Sequence, residues 1–152
     1  MTMKRYEAGL RKCHILLVED HDQTARTVQR ALCTWLEVRC VPTRTLVEAK
    51  RQFDAAATRG DPFDLVICDL VLPDGSGLQL PRMLGLAGAV SAINARAQLI
   101  AVSGMIASGD RTTSLEAGFD AHLRKPFSLE ELTDTVRALL SRTDCVPDAV
   151  SA

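Results

Sequence analysis

Asp64-Leu65-Val66-Ile67-Cys68-Asp69-Leu70-Val71-Leu72-Pro73-Asp74-Gly75-Ser76-Gly77 is the stretch on which the fold turns. Leu65 to Cys68 are apolar in succession, with no alternation, the pattern of a strand buried on both faces in a parallel sheet. The run stops at a carboxylate, Asp69. Pro73, Asp74, Gly75 and Gly77 then supply turn chemistry, so a loop follows. Open α/β sheets bind their ligands outside the carboxyl ends of their strands. Asp69 stands at such a position.

Outward from that strand, the chain reads as a series. Residues 1–12 are polar and read as a tail or linker. His14-Ile15-Leu16-Leu17-Val18 is a buried strand that stops at Glu19-Asp20. Asp22 is placed to cap a helix whose apolar positions are Val28, Ala31, Leu32 and Trp35, all expected in the core. Val38 to Val41 is a short strand ended by Pro42. Leu46, Ala49, Phe53 and Ala56 mark a second helix. After the opening strand, a third helix is expected from about Gly77 through Leu84. Residues 85–97 read as a long loop or frayed helix end. Gln98 to Val102 is a strand stopping at Ser103-Gly104, and Asp110 to Ala117 a weak helix. Asp120 to Leu123 is a last strand, stopping at Arg124-Lys125-Pro126. Ser128 and Glu131 form a capping box, with Phe127 and Leu132 as its staple. The domain closes near residue 141, and 142–152 read as a disordered tail.

Five apolar runs therefore alternate with five helical patterns, which predicts a doubly wound α/β domain over residues 13–141 with a parallel sheet. Of the 152 residues 47% are apolar and 24% charged, ordinary values for a globular protein with a full core. The net charge of −1 offers no basic surplus for nucleic acid or an anionic membrane. No apolar run approaches the ~20 residues of a membrane span, and the amino terminus lacks an apolar signal core. The expected location is the cytoplasm. Cys13, Cys33, Cys40, Cys68 and Cys145 are odd in number and form no Cys-x-x-Cys pair, so reduced thiols are expected, with neither disulfide nor zinc.

In a parallel sheet all the carboxyl ends lie on one edge. Glu19, Asp20 and Asp69, with Ser103 and Lys125, should converge there from distant parts of the chain. Close carboxylates repel unless a cation joins them. Hard oxygen ligands with open positions suit Mg²⁺ shared with a phosphoryl oxygen. A carboxylate can itself take up a phosphoryl group as an acyl phosphate. A metal ion, an ammonium and a hydroxyl are the groups that would stabilise the transferring charge.

The ordered motifs Leu17-Val18-Glu19-Asp20, Asp64 to Asp69, Leu72 to Gly77, Val102-Ser103-Gly104 and Lys125-Pro126-Phe127 resemble the receiver domain of two-component response regulators. The run His122-Leu123-Arg124-Lys125-Pro126 looks most like receivers at the carboxyl end of hybrid sensor histidine kinases. The resemblance implies a flavodoxin-like five-stranded sheet of order 2-1-3-4-5. It makes Asp69 the phosphoacceptor, fed by a histidine kinase or a phosphotransfer domain. It gives Mg²⁺ to Asp20, Asp69 and the Val71 backbone carbonyl, with Glu19 acting through water. Lys125 would pair with Asp69 at rest and with the phosphoryl group afterwards, Ser103 would close onto a phosphoryl oxygen, and the Lys125-Pro126 bond would be cis. The output would be a switched face that binds a downstream protein or kinase core, with a phosphorylation-dependent dimer among the outcomes. No nucleic-acid or membrane contact is expected of this domain, and its activity would be its own phosphorylation and dephosphorylation, or that of a hybrid histidine kinase of which it is a part.

Two positions depart from the family. The switch position, usually Tyr or Phe, holds His122. Val71 and Met105, which flank the path of the hydrolytic water, are both apolar, so a long-lived phosphorylated form is expected. Two other functions fit the bare pattern: a degenerate receiver that binds constitutively, and a haloacid dehalogenase-type phosphatase. The phosphatase needs a second Asp two residues after the nucleophile, where Val71 stands. A flavodoxin-like cofactor binder lacks its phosphate-cradling loop, since Glu19 and Asp20 occupy it.

Overall fold

The computed structural model describes residues 11–86, 97–104 and 110–145. Five strands form one parallel sheet: β1 (His14–Val18), β2 (Arg39–Thr43), β3 (Leu65–Asp69), β4 (Gln98–Ser103) and β5 (Ala121–Arg124). Their spatial order is β2-β1-β3-β4-β5, all pairs parallel. The helices are α1 (Asp22–Trp35), α2 (Leu46–Thr58), α3 (Leu80–Met83), α4 (Asp110–Ala117) and α5 (Leu129–Leu140). Between β3 and α3 lie a two-stranded ribbon, Val71–Leu72 with Gly75–Ser76, and one 3-10 turn, Gly77–Gln79.

The unbroken apolar runs are explained by two cores, one on each face. Successive strand residues point to opposite sides. Ile15, Leu17, Leu65, Ile67, Ile100 and Val102 join Val28 and Leu32 of α1 and Leu132 and Val136 of α5. Leu16, Val18, Val66, Cys68, Leu99 and Ala101 join Leu46 and Ala49 of α2 and Leu80 of α3. Helices on both sides keep the central strands β1, β3 and β4 apolar from their second residue to their carboxyl ends.

Several boundaries differ from the sequence reading. Pro42 lies inside β2, because β2 pairs with β1 alone and an edge strand tolerates a missing N–H. Asp22 opens α1, but the cap is His21, whose Nδ1 accepts from the Thr24 N–H at 3.4 Å. Trp35 is 48% exposed and Leu36 is fully buried in its place, because the step of four from Leu32 keeps the α1 stripe on the core side. Asp120 precedes β5: its N–H donates to the Leu99 carbonyl and its carboxylate accepts from the Leu99 N–H, both across to β4. Most of the 85–97 stretch lies outside the described residues.

The cysteine reading is corrected as well. Cys13 and Cys145 form a disulfide, with Cα atoms 4.9 Å apart at a sequence separation of 132. Cys13 immediately precedes β1 and Cys145 follows α5, whose packing beside α1 brings the two ends of the domain together. Spacing rules see only local pairs, so a bridge made by tertiary packing escapes them. Both cysteines are fully buried in the α1/α5 core. Arg11, expected in a tail, donates two hydrogen bonds to Asp64 at 2.8 and 3.0 Å. Thr143 is buried, and its hydroxyl donates to the Leu140 carbonyl.

Candidate functional site: an acidic pocket at one sheet edge

Register assembles the site. Val18 pairs with Cys68, so Glu19 and Asp20 emerge beside Asp69. Asp69 pairs with Val102 and Ser103 with Arg124, so Ser103 and Lys125 leave the sheet at the same level. The structure thus brings together Glu19, Asp20, Asp69, Ser103 and Lys125 on one edge.

Asp69 is 8% exposed and both its carboxylate oxygens are occupied. Oδ1 accepts from the Val71 N–H at 2.9 Å, and Oδ2 accepts from Lys125 Nζ at 2.9 Å. Glu19 is 5% exposed. Its Oε1 accepts from Lys125 Nζ at 3.1 Å and its Oε2 from the His21 N–H at 3.2 Å. Carboxylate oxygens of Glu19, Asp20 and Asp69 all lie within 4.8 Å of one another. Val71, whose backbone carbonyl was expected as a ligand, sits two residues on, with its side chain turned to solvent. Met105 lies outside the described residues.

Three carboxylates against one ammonium leave the pocket two charges negative when all three are ionised. Burial pushes the Glu19 carboxyl above its ordinary value, and the neighbouring Asp69 charge adds to this while Lys125 opposes it. Burial pulls the Lys125 ammonium down, but its bonds to Asp69 and Glu19 outweigh that and hold it above its usual value. Three carboxylates this close, two of them buried, offer hard oxygens whose mutual repulsion a divalent cation would relieve. The residues present fit Mg²⁺.

The backbone around the site is tightly specified. Lys125-Pro126 is cis, as expected. The Lys125 N–H donates to the Ser103 carbonyl at 2.7 Å, and two residues past Pro126 the Ser128 hydroxyl caps α5 by accepting from the Glu131 N–H. Lys125 is thus fixed from both sides. Gly77 lies against Asp69: a Cβ there would sit 2.2 Å from the Asp69 carbonyl oxygen. Asp74 accepts from the N–H groups of Leu46 and Val47, tying the ribbon to the start of α2. Ser103 is 3% exposed, and its hydroxyl lies 2.7 Å from His122 Nε2. Cys68, fully buried beside Asp69, has its thiol pushed well up by burial and is inert.

The sequence reading missed Gly77 as a close-approach glycine, Asp74 as a second cap for α2, and the direct Ser103–His122 bond. The turn Pro73-Asp74-Gly75-Ser76-Gly77 was visible, but nothing local says what it packs against.

A carboxylate at a strand end, flanked by acids and a lysine, on a doubly wound five-stranded sheet defines the class of site, and comparison with known proteins gives the family. The model of the response regulator receiver domain matches residues 15–137, and the chain belongs to that family. The KDP operon transcriptional regulatory protein KdpE of Escherichia coli is 36% identical over 132 residues, 85% of this chain and 52% of that protein. Hybrid signal transduction histidine kinase D of Dictyostelium discoideum is 26% identical over 128 residues, 84% of this chain and 8% of that protein. The non-phosphorylated HemR receiver domain of Leptospira biflexa superposes with a TM-score of 0.71 at 28% identity, covering 87% of this chain and 97% of that one. The chain therefore spans about half the length of KdpE. No helix among the described residues is long and apolar enough to cross a membrane.

Proposed function

We propose that this chain accepts a phosphoryl group on Asp69 from a phosphohistidine of a kinase or phosphotransfer domain, and that the acyl phosphate switches a protein-binding face. The observation that carries the reading is the buried Asp69 carboxylate, held between the Val71 N–H and Lys125 and walled by Glu19 and Asp20. One Asp69 oxygen attacks phosphorus, the phosphorus–nitrogen bond breaks, and the donor imidazole keeps the electron pair and takes a proton. Asp20, Asp69 and the Val71 carbonyl would hold Mg²⁺ directly and Glu19 through water. When bound, Mg²⁺ supplies charge neutralisation for the phosphoryl oxygens. Lys125 changes partner from carboxylate to phosphoryl oxygen, and the Ser103 hydroxyl donates to another. The groove beside the site, lined by Thr24, Thr27, Val28, Phe127 and Leu129, gives the donor a place to approach Lys125.

Location in the cytoplasm and output through a downstream protein or kinase core belong to the same reading. Several relatives are transcriptional regulators by name, and the weak net charge speaks only for these residues, not for a whole protein's contact with DNA. Val71, exposed and apolar, supplies no polar group to aim water at the acyl phosphate, so the phosphorylated form outlasts seconds.

The test is incubation with a small-molecule phosphodonor and Mg²⁺, read by intact mass, with Asp69→Asn beside the parent. A mass gain of one phosphoryl group on the parent alone is expected. Equal labelling of both chains, or none on either, overturns the assignment.

A further inference from the structure

We propose that His122 positions the Ser103 hydroxyl for phosphoryl capture by supplying it with an Nε2–H hydrogen bond. The inference rests on the phosphoacceptor reading of Asp69. A hydroxyl has one proton to give and two lone pairs to accept with. Across the 2.7 Å contact, Ser103 Oγ either gives its proton to His122 Nε2 or accepts one from it.

A phosphoryl group on Asp69 is acceptor-only, so Ser103 serves it only by giving up that one proton. Once it does, the contact with His122 survives in one form, with the hydrogen on Nε2. With a bare Nε2, two lone pairs would face each other across 2.7 Å, too close for a water to separate them. The phosphoryl group and the Nε2–H are therefore linked, and linkage runs both ways. Phosphorylation draws the hydrogen onto Nε2, and an imidazole already carrying it there makes Ser103 a better donor. Pairing of β4 with β5, Ala101 with His122 and Ser103 with Arg124, keeps the two side chains in reach. Phe at residue 122 would have no hydrogen to give.

The experiment labels the histidine imidazoles of the full chain with ¹⁵N and follows His122 Nε2 as the small-molecule phosphodonor and Mg²⁺ are added, with intact mass reporting Asp69 in the same sample. The expected result is a protonated-type Nε2 resonance in the phosphorylated chain, and no response to the phosphodonor in Ser103→Ala. His122→Phe should take up phosphoryl about fivefold more slowly, the worth of one ordinary hydrogen bond. His122→Gln, which keeps an N–H donor, should return to within about twofold of the parent. A bare Nε2 in a chain that mass shows to be phosphorylated overturns this proposal alone. So does a phosphorylated His122→Phe as fast as the parent. Absence of any mass gain on the parent overturns the phosphoacceptor reading, and this proposal with it. The spectroscopic result comes from the parent chain and needs no variant to fold.

Discussion

Lys125 is the residue on which the electrostatics of the pocket depend. It is the shared cation of two buried carboxylates, Glu19 and Asp69, at 3.1 and 2.9 Å. Removing it leaves both acids facing each other with no ammonium between them. Lys125→Ala should therefore destabilise the chain by about 2 kcal/mol, less than a fully buried pair because the lysine is partly solvated. Mg²⁺ should restore most of that loss, since the cation replaces the missing charge among Glu19, Asp20 and Asp69. Thermal unfolding of parent and variant with and without Mg²⁺ checks both parts. A variant as stable as the parent without metal would show that the pocket acids are protonated at neutral pH. Gly77 acts on Asp69 through sterics rather than charge. No side chain fits where a Cβ meets the Asp69 carbonyl oxygen, so the loop after Asp69 closes only over a glycine.

At the scale of the element, β1 carries an acid pocket at one end and a titrating histidine at the other. His14, its first residue, is 3% exposed and stacks on Phe63 with ring centroids 4.0 Å apart. Burial and then the Arg39 guanidinium hold its imidazole below the ordinary value, against Asp61. The folded state thus refuses a proton that the unfolded chain accepts. Stability from this group is complete above the unfolded value near pH 6.5 and falls as pH drops through and below it. Glu19 works in the opposite direction. Its raised value means that stability falls as pH rises from the unfolded carboxyl range toward the folded one. Urea unfolding of parent and His14→Gln at about pH 7 and about pH 5 separates the two. The penalty of the substitution should shrink on acidification, because only the parent loses the His14 contribution. A penalty independent of pH would mean that buried His14 titrates as it does in water.

At the scale of the whole molecule, the two ends of the domain are tied together. The Cys13–Cys145 bridge spans 132 residues, and Arg11 with Asp64 covers the same edge of the sheet. Removing a bridge over a loop this long should lower stability by about 3 kcal/mol, or about 9 °C in melting temperature. Calorimetry of the parent with and without a thiol reductant, beside Cys13→Ser, measures it. Alkylation of the native oxidised chain should mark Cys33, which is exposed, and spare Cys40 and Cys68, which are buried. Burial pushes the Cys40 thiol up to about 12, so it offers little thiolate. Three reactive thiols in the native chain, or an unchanged melting temperature on reduction, would remove the bridge from the account.

The one-dimensional pattern determined the layers and the edge. Continuous apolar runs required burial on both faces, and their polar stops, Glu19, Asp69, Ser103 and Lys125, could meet only where parallel strands end together. Tertiary structure alone decided what depends on a partner distant in the chain. Trp35 is exposed because Leu36 takes its place in the α1 stripe. His122 binds the Ser103 hydroxyl because β4 and β5 pair in one register. Cys13 and Cys145 are bonded because α5 returns across the sheet to where β1 began. Periodicity and strand stops are local properties that a sequence displays directly, whereas a contact across 19 or 132 positions exists only once packing has chosen which surfaces meet.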